Sequence, residues 1–318
     1  MEKILVTGSS GFIGMHLCKS LVEDGYEVIG VDNMNDYYSP SLKYARLEQL
    51  KKFKNYSFSE LDISNYSELK SIFKKHKPSK VVNLAAQAGV RYSLTNPQEY
   101  IQTNVVGFMN ILESCRYNDV DGLIYASSSS VYGGNEKMPF SVTDPVDKPI
   151  SIYAASKKAN ELMAYTYNHL YGLNNTGLRF FTVYGPWGRP DMAMYIFTDK
   201  ISKGEPIPVF NFGKMQRDFT YIDDIINGIK SSIDKNYPCE IFNLGNSHSE
   251  NLMEMIRTIE RYIGKKAKID YLEMQPGDVK KTFADIKHTN KMLKYSPKTS
   301  IFEGIPKFIQ WFEEYSLK

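Results

Sequence analysis

The chain is expected to fold as an α/β protein, with a parallel sheet covered by helices on both faces. Three observations predict this. Short apolar runs alternate with helical patterns through the first half of its 318 residues, as in repeated βαβ units. A glycine turn, Thr7-Gly8-Ser9-Ser10-Gly11-Phe12-Ile13-Gly14, joins the first apolar run to the first helical pattern. Small and polar residues, Leu84-Ala85-Ala86 and Ala126-Ser127-Ser128-Ser129-Ser130, follow later apolar runs, where ligands of open α/β sheets bind.

The elements follow in order. Ile4–Val6 reads as a strand, and a helix runs from about Gly11 to Asp24. Glu27–Val31 and Tyr56–Glu60 are the next strands. Ser67–His76 is helical and Lys80–Leu84 a strand. Ile101, Val105, Phe108, Leu112 and Cys115 recur at helical spacing, which predicts one helix over roughly Gln98–Asn118. Gly122–Ala126 is a strand, a long loop follows, and Ala, Glu, Leu and Met residues favour a helix from Tyr153. Thr176–Phe181 and Glu240–Leu244 complete the sheet. Between Pro186 and Asp218, the density of Gly and Pro predicts surface loops. Helices are expected from Asn251 and from Phe302. The expected division is a domain of 1–181 and 223–250, with the large sheet, and a smaller α/β domain of 182–222 and 251–318.

Composition excludes several function classes. With 39 basic and 36 acidic residues, nothing draws the chain towards nucleic acid or membrane. No apolar run approaches the ~20 residues of a membrane helix, and no signal peptide precedes the first strand. Cys18, Cys115 and Cys239 are sparse and distant, which predicts a reducing, cytoplasmic setting. The histidines lack ligand spacing, so no metal site is expected.

The glycine spacing is Gly-x-x-Gly-x-x-Gly. Such a turn permits close backbone approach, and the following helix presents free N–H groups to a pyrophosphate. A turn of this kind can also merely pack strand on helix. Asp32, 18 residues past Gly14, favours the ligand reading. It closes the second strand, where an acid accepts hydrogen bonds from an adenosine ribose. It would repel a 2′-phosphate, which favours NAD over NADP. Asp62 and Ile63 are placed to meet the adenine, and the small residues after Leu84 let a cofactor lie close.

Tyr153 and Lys157 stand four apart and share a helix face. An ammonium beside a phenol favours the phenolate. A Tyr base at neutral pH needs a shift of roughly 3 units, about 4 kcal/mol, part of which a nicotinamide cation can supply. A hydroxyl from the serine run can relay the proton.

Together these segments resemble the extended short-chain dehydrogenase/reductase superfamily, with its Rossmann-type sheet, and within it the nucleotide-sugar epimerases. The resemblance runs nearly end to end. It implies Tyr153 as base, Lys157 as holder of the nicotinamide ribose, and Ser128 as the catalytic serine, with Ser127 and Thr182 beside it. It implies NAD contacts at Gly8, Gly11, Phe12, Ile13, Gly14, Asp32, Asn33, Asp62, Ile63, Leu84, Ala85, Ala86 and Asn104. Gln216-Arg217-Asp218-Phe219 resembles a segment whose Arg binds the pyrophosphate of the sugar nucleotide. Pro208-Val209-Phe210 resembles the strand packing on uracil, and Pro276-Gly277-Asp278 the loop whose acid binds ribose. Gln275 stands where many relatives carry Arg.

Family members begin by taking the O4 proton and passing hydride from C4 to NAD. Dehydratases and decarboxylases then need carboxylates where Ser129 and Ser130 stand, so 4-epimerisation is implied. Thr182, Gly188-Arg189-Pro190-Asp191-Met192-Ala193, Asn33-Met34-Asn35-Asp36-Tyr37-Tyr38 and Ala88-Gly89-Val90-Arg91-Tyr92-Ser93 resemble the branch that interconverts UDP-glucuronate and UDP-galacturonate. Arg189 suits a C6 carboxylate, since a guanidinium binds carboxylates bidentately; a loop ion pair is the other use of such a residue. Epimerisation of a neutral UDP-glucose or UDP-N-acetylglucosamine, or NAD sensing without turnover, are the alternatives. The resemblance also implies a homodimer formed through the Gln98–Asn118 and Tyr153–Tyr171 helices.

Overall fold

Alternation along the first strand sends Ile4 and Val6 into one core and Leu5 into another, as the two-residue period of a strand requires. Val28 and Ile29, then Val82 and Val81, divide the same way. A sheet apolar on both faces needs helices on both. The computed structural model, which describes residues 2–275 and 277–317, has that architecture.

The strands are β1 Lys3–Thr7, β2 Glu27–Asp32, β3 Tyr56–Glu60, β4 Lys80–Asn83, β5 Gly122–Ser128, β6 Asn175–Phe180, β7 Thr182–Tyr184, β8 Pro206–Phe210, β9 Gln216–Arg217, β10 Phe219–Tyr221, β11 Cys239–Leu244, β12 Glu250–Asn251 and β13 Lys268–Leu272. The helices are α1 Phe12–Glu23, α2 Pro40–Leu50, α3 Tyr66–His76, α4 Tyr92–Thr95, α5 Pro97–Tyr100, α6 Phe108–Tyr117, α7 Ile152–Tyr171, α8 Ala193–Lys203, α9 Ile222–Lys235, α10 Leu252–Ile263, α11 Lys287–Leu293 and α12 Ile301–Ser316. Seven strands form one parallel sheet in the order β11-β6-β5-β4-β1-β2-β3. The chain reverses direction between β1 and β4, which opens a crevice beyond their C-terminal ends. Three two-stranded sheets, β10-β7, β12-β9 and β13-β8, build the rest.

Two expectations are corrected. The 98–118 segment is not one α-helix, because Ile101–Gly107 is a π-helix between α5 and α6. The wider turn rotates the buried face. Asn104 and Gly107 turn inward, and Ile101 is left 45% exposed. The Pro186–Asp218 region is not mainly loop, since it holds α8 and β8. Met194, Phe197 and Ile201 of α8 are buried against the larger core, and that packing outweighs the flanking Gly and Pro.

One buried ion pair ties α7 to the sheet. Arg179 of β6 donates from Nε and Nη2 to the two carboxylate oxygens of Glu161 at 2.8 and 2.9 Å. Its Nη1 donates to Tyr132 Oη at 3.0 Å, and Tyr132 donates to Asn243 of β11 at 2.7 Å. Burial favours a neutral Glu161, but Arg179 and the Ser127 hydroxyl outweigh it and hold the carboxyl below its ordinary value. The stabilisation is therefore present above the unfolded carboxyl value of ~4.3 and is lost as pH falls through the lower folded value. Glu161→Gln should cost about 3–5 kcal/mol at pH 7 in urea unfolding. The deficit should shrink in acid; a pH-independent deficit would contradict this account.

Candidate active site

The glycine turn is built for a close neighbour. Gly8 has φ +68°, and a Cβ there would meet Ala85 N at 2.8 Å. A Cβ on Gly14 would collide with Gly8 O. The open turn at the N-terminus of α1 fits a pyrophosphate. Asp32, nearly buried, accepts from Ser10 N and Met34 N at 3.0 Å. Lys43 Nζ lies 3.7 Å from it and donates to Asn35 Oδ1 at 2.6 Å. Asn33 donates to Asp62 at 2.8 Å, joining the ends of β2 and β3.

From this turn a cleft of about 440 Å³ runs across the strand ends. Gly8, Gly11, Phe12, Ile13, Gly14, Asp32, Asn33, Asp62, Ile63, Leu84, Ala85 and Ala86 line one arm. Ser127, Ser128, Tyr153, Lys157, Thr182, Arg189, Arg217 and Asp278 line the other. Asn104 does not line it. Its amide instead exchanges two hydrogen bonds with the Gln87 backbone, at 2.8 and 3.0 Å, and donates to Ser156 Oγ at 3.0 Å. It thereby fixes the segment after β4 against α7.

Ser151 caps α7 by accepting from Ala154 N at 3.1 Å, which places Tyr153 in the first turn. Lys157 lies one turn further and donates to Ala126 O at 2.8 Å. Burial pushes this Lys down to about 8. The protein's own groups raise Tyr153 rather than lower it. Burial pushes the phenol up, while the Ser128 hydroxyl and the Arg189 charge only partly oppose this. The sequence-based expectation of a Lys-stabilised phenolate is corrected to that extent.

Two other expected positions need correction, and a third shares its donors with a neighbour in its loop. Ser127 touches the cleft, but its hydroxyl donates to Glu161 Oε1 at 2.7 Å. Successive strand residues face opposite ways, so of the two it is Ser128, whose Oγ accepts from Ser130 N at 3.1 Å, that keeps its hydroxyl hydrogen for a ligand. Val209 is fully buried in the core, since β8 turns Ile207 and Val209 inward. Arg189 makes the loop ion pair, donating from Nε and Nη2 to Asp191. A guanidinium has five N–H donors, so three remain. Burial alone would lower this Arg, but Asp191 with Tyr37 and Tyr38 holds it above its ordinary value and therefore charged.

At the far mouth, Arg91 Nη2 donates to Asp278 Oδ2 at 2.9 Å. Its guanidinium lies 4.3 Å from the Phe210 ring centre. Pro276 lies outside the described residues. Next to Arg217, Asp218 accepts from Asn246 N, Ser247 N and Ala284 N, while Arg217 Nη1 donates to Gln216 O at 2.9 Å. Tyr37, from the Asn33–Tyr38 segment, also lines the cleft, as do Lys43 and Gln87, which were not foreseen. Lys43 had a signal, since it falls with Leu42, Arg46, Leu47 and Leu50 on the buried stripe of α2, where charges are unusual.

Such a cleft fits a dinucleotide-dependent enzyme with a proton-transfer group at the reacting end. The chain belongs to the NAD dependent epimerase/dehydratase family, whose model matches residues 4–245. It is 47% identical to a UDP-glucuronate 4-epimerase of Thermodesulfobacterium geofontis, over 99% of this chain and 97% of that one. The UDP-glucuronic acid 4-epimerase of Bacillus cereus, solved with UDP-glucuronic acid and NAD, superposes with a TM-score of 0.93 at 33% identity. That match covers 98% of this chain and 99% of that one. A UDP-glucose 4-epimerase of Thermotoga maritima, solved with UDP-glucose, gives a TM-score of 0.91 at 31% identity, over 99% and 100% of the two chains.

Tyr153 should titrate above ~10 in NAD-free protein, read as the absorbance difference between the parent and Tyr153→Phe. Adding NAD⁺ should lower that midpoint. A midpoint below ~10 without the cofactor would refute the dominance of burial.

Proposed function

We propose that this protein is a UDP-glucuronate 4-epimerase that interconverts UDP-glucuronate and UDP-galacturonate with bound NAD. One observation carries the choice of sugar. A charged Arg189 with donors to spare lines the same cleft as Tyr153, Ser128 and Thr182. Gly8, Gly11 and Gly14, with Phe12 and Ile13, hold the pyrophosphate of NAD. Asp32 and Asn33 hold its adenosine ribose, Asp62 and Ile63 the adenine, and Lys157 the nicotinamide ribose. Bound NAD supplies the acceptor for the C4 hydride and gives it back.

Tyr153 takes the O4 proton and, once the 4-keto sugar has rotated to offer the other face of C4 to the hydride, returns the proton to O4. Ser128 donates to the same oxygen. Lys157 keeps a positive charge beside the phenol, which favours the phenolate once burial has been offset. No carboxylate replaces Ser129 or Ser130, and the nearby Glu161 faces Arg179. Elimination of water therefore finds no carboxylate base at these positions. Arg217 binds the substrate pyrophosphate, Phe210 packs on the uracil, and Arg91 and Asp278 close the ribose end. The 182–222 and 251–318 segments form this sugar-nucleotide half. Thr182 and Arg189 hold the C6 carboxylate ionised.

The function is tested by mixing the purified protein with UDP-glucuronate and no added NAD. NMR should show H4 passing from axial to equatorial. Turnover of UDP-glucose alone would give the site to a neutral sugar. Tyr153→Phe should keep its NAD and lose about 100- to 10,000-fold in kcat. Arg189→Ala should weaken the uronate about ten-fold or more and release a 4-keto-pentose. Normal affinity without that product would remove Arg189 from the site.

A homodimer is part of the proposal. Ile101, Val106 and Met109 are exposed on one helical segment, and Leu162, Tyr165 and Leu170 are 57–63% exposed on the neighbouring α7. Contiguous apolar faces of this kind seek a partner, and a second copy supplies two equivalent helices. Light scattering should give a dimer for the parent and a monomer for Leu162→Glu/Tyr165→Glu; a dimeric double variant would move the interface elsewhere. Cys18 and Cys115 are free and buried, which supports a reducing cytoplasm as the compartment. Among the described residues no helix is long and apolar enough to cross a membrane.

A further inference from the structure

Arg46 of α2 is fully buried and donates five hydrogen bonds, all to neutral oxygens. Nη1 reaches Ser10 O at 3.2 Å and Tyr38 Oη at 2.6 Å. Nε reaches Trp187 O at 3.2 Å. Nη2 reaches Trp187 O at 2.6 Å and Gly188 O at 3.3 Å. His16 of α1, neutral because burial pushes it down to about 4, donates to Pro186 O at 2.9 Å. Three successive carbonyls immediately before Arg189 are thus held by side chains from the cofactor half. Trp187 sits at φ +63°, a conformation that an L residue keeps only when its surroundings enforce it.

A second grip lies just beyond Arg189. Tyr37 Oη donates to Asp191 Oδ2 at 3.1 Å, and Asp191 takes two donors of Arg189. Burial, with Asp191, pushes Tyr37 up to about 12, so it remains a donor. Neighbouring tyrosines therefore hold the Arg189 loop from both sides, one directly and one through Arg46. Ser10 belongs to the glycine turn, so the same contacts join the cofactor turn to the sugar loop.

We propose that Tyr37, Tyr38 and Arg46 are positioning residues that aim Arg189, and that this clasp makes the cleft select an anionic sugar. The proposal rests on the reading that Arg189 meets the C6 carboxylate. It gives the Asn33–Tyr38 segment a task beyond the cofactor. A flexible Arg could meet a carboxylate in many geometries. One held at its backbone and at two of its donors has its remaining donors preset, and preorganisation raises affinity for the matching ligand alone.

The test uses NAD-loaded protein in a Tyr153→Phe background, where no turnover disturbs binding. Calorimetry measures UDP-glucuronate and UDP-glucose on the parent background, on Tyr37→Phe and on Arg46→Lys. Each variant should bind UDP-glucuronate about ten-fold more weakly, with UDP-glucose changed by less than about two-fold. A parent that does not prefer UDP-glucuronate overturns the reading of the substrate, and this inference falls with it. A parent that prefers the uronate, with variants that weaken both ligands equally or neither, overturns the clasp alone. Should Arg46→Lys fail to fold, Tyr37→Phe, which loses a single oxygen, decides by the same ratio.

Discussion

The candidate site depends first on the Glu161–Arg179 pair. In the proposed mechanism Tyr153 reaches one sugar oxygen, with Lys157 a turn further along, only if α7 lies at a fixed height over the end of β5. Packing alone leaves a helix free to slide by fractions of an ångström over smooth apolar side chains. A bidentate ion pair with both members nearly buried does not slide, because any displacement leaves an uncompensated charge in the core. The pair recruits Ser127, Tyr132 and, through Tyr132, Asn243. One carboxylate thereby aligns α7, β5, β6 and β11. The cost falls on Ser127, whose hydroxyl is consumed, and the reacting end is left to Ser128.

Charge and burial oppose each other at Tyr153. Burial strips water from the Tyr153 phenol, which strengthens the interactions around it but disfavours a lone phenolate. Lys157 suffers the same penalty and is anchored to the Ala126 carbonyl. The residues of the chain therefore hold a neutral phenol beside a weakened cation. In the proposed mechanism such a base is dormant until another positive charge enters, which would tie proton removal to a loaded cofactor arm.

What the sequence revealed was what is local. Two- and 3.6-residue periods located most strands of the large sheet and several of the helices, because each period is set by neighbours along the chain. The glycine turn was legible because few other residues permit that backbone path. The π-helix at Ile101–Gly107 was not, since it adds one residue to a turn without changing composition. Its product, an inward Asn104, reads as a polar residue on an apolar face. Ser127 and Val209 were misjudged for one reason. A strand's register decides which neighbour faces the ligand, and register is set by partners distant in sequence. Arg46 shared the signal of Lys43, a charge on the buried stripe of α2, but its partners were not legible, because four of its five hydrogen bonds go to backbone carbonyls, which every residue carries.

The neutral sugars of related enzymes sharpen what a uronate site has to do. Oxidising C4 of a glucuronate places a ketone β to the carboxylate, and loss of CO2 requires the C5–C6 bond to align with that ketone. The hazard begins when the O4 proton and the C4 hydride have left, and it lasts through rotation of the intermediate until C4 is reduced again. An Arg that merely attracted the carboxylate would improve binding and leave the alignment open. An Arg fixed through Gly188 behind it and Asp191 beside it constrains direction as well as charge. In the proposed mechanism α7 sets proton transfer at Tyr153, and a loop gripped from α1 and α2 sets the carboxylate. The two tasks would thus fall to separate elements, both anchored to the large sheet and the helices that cover it.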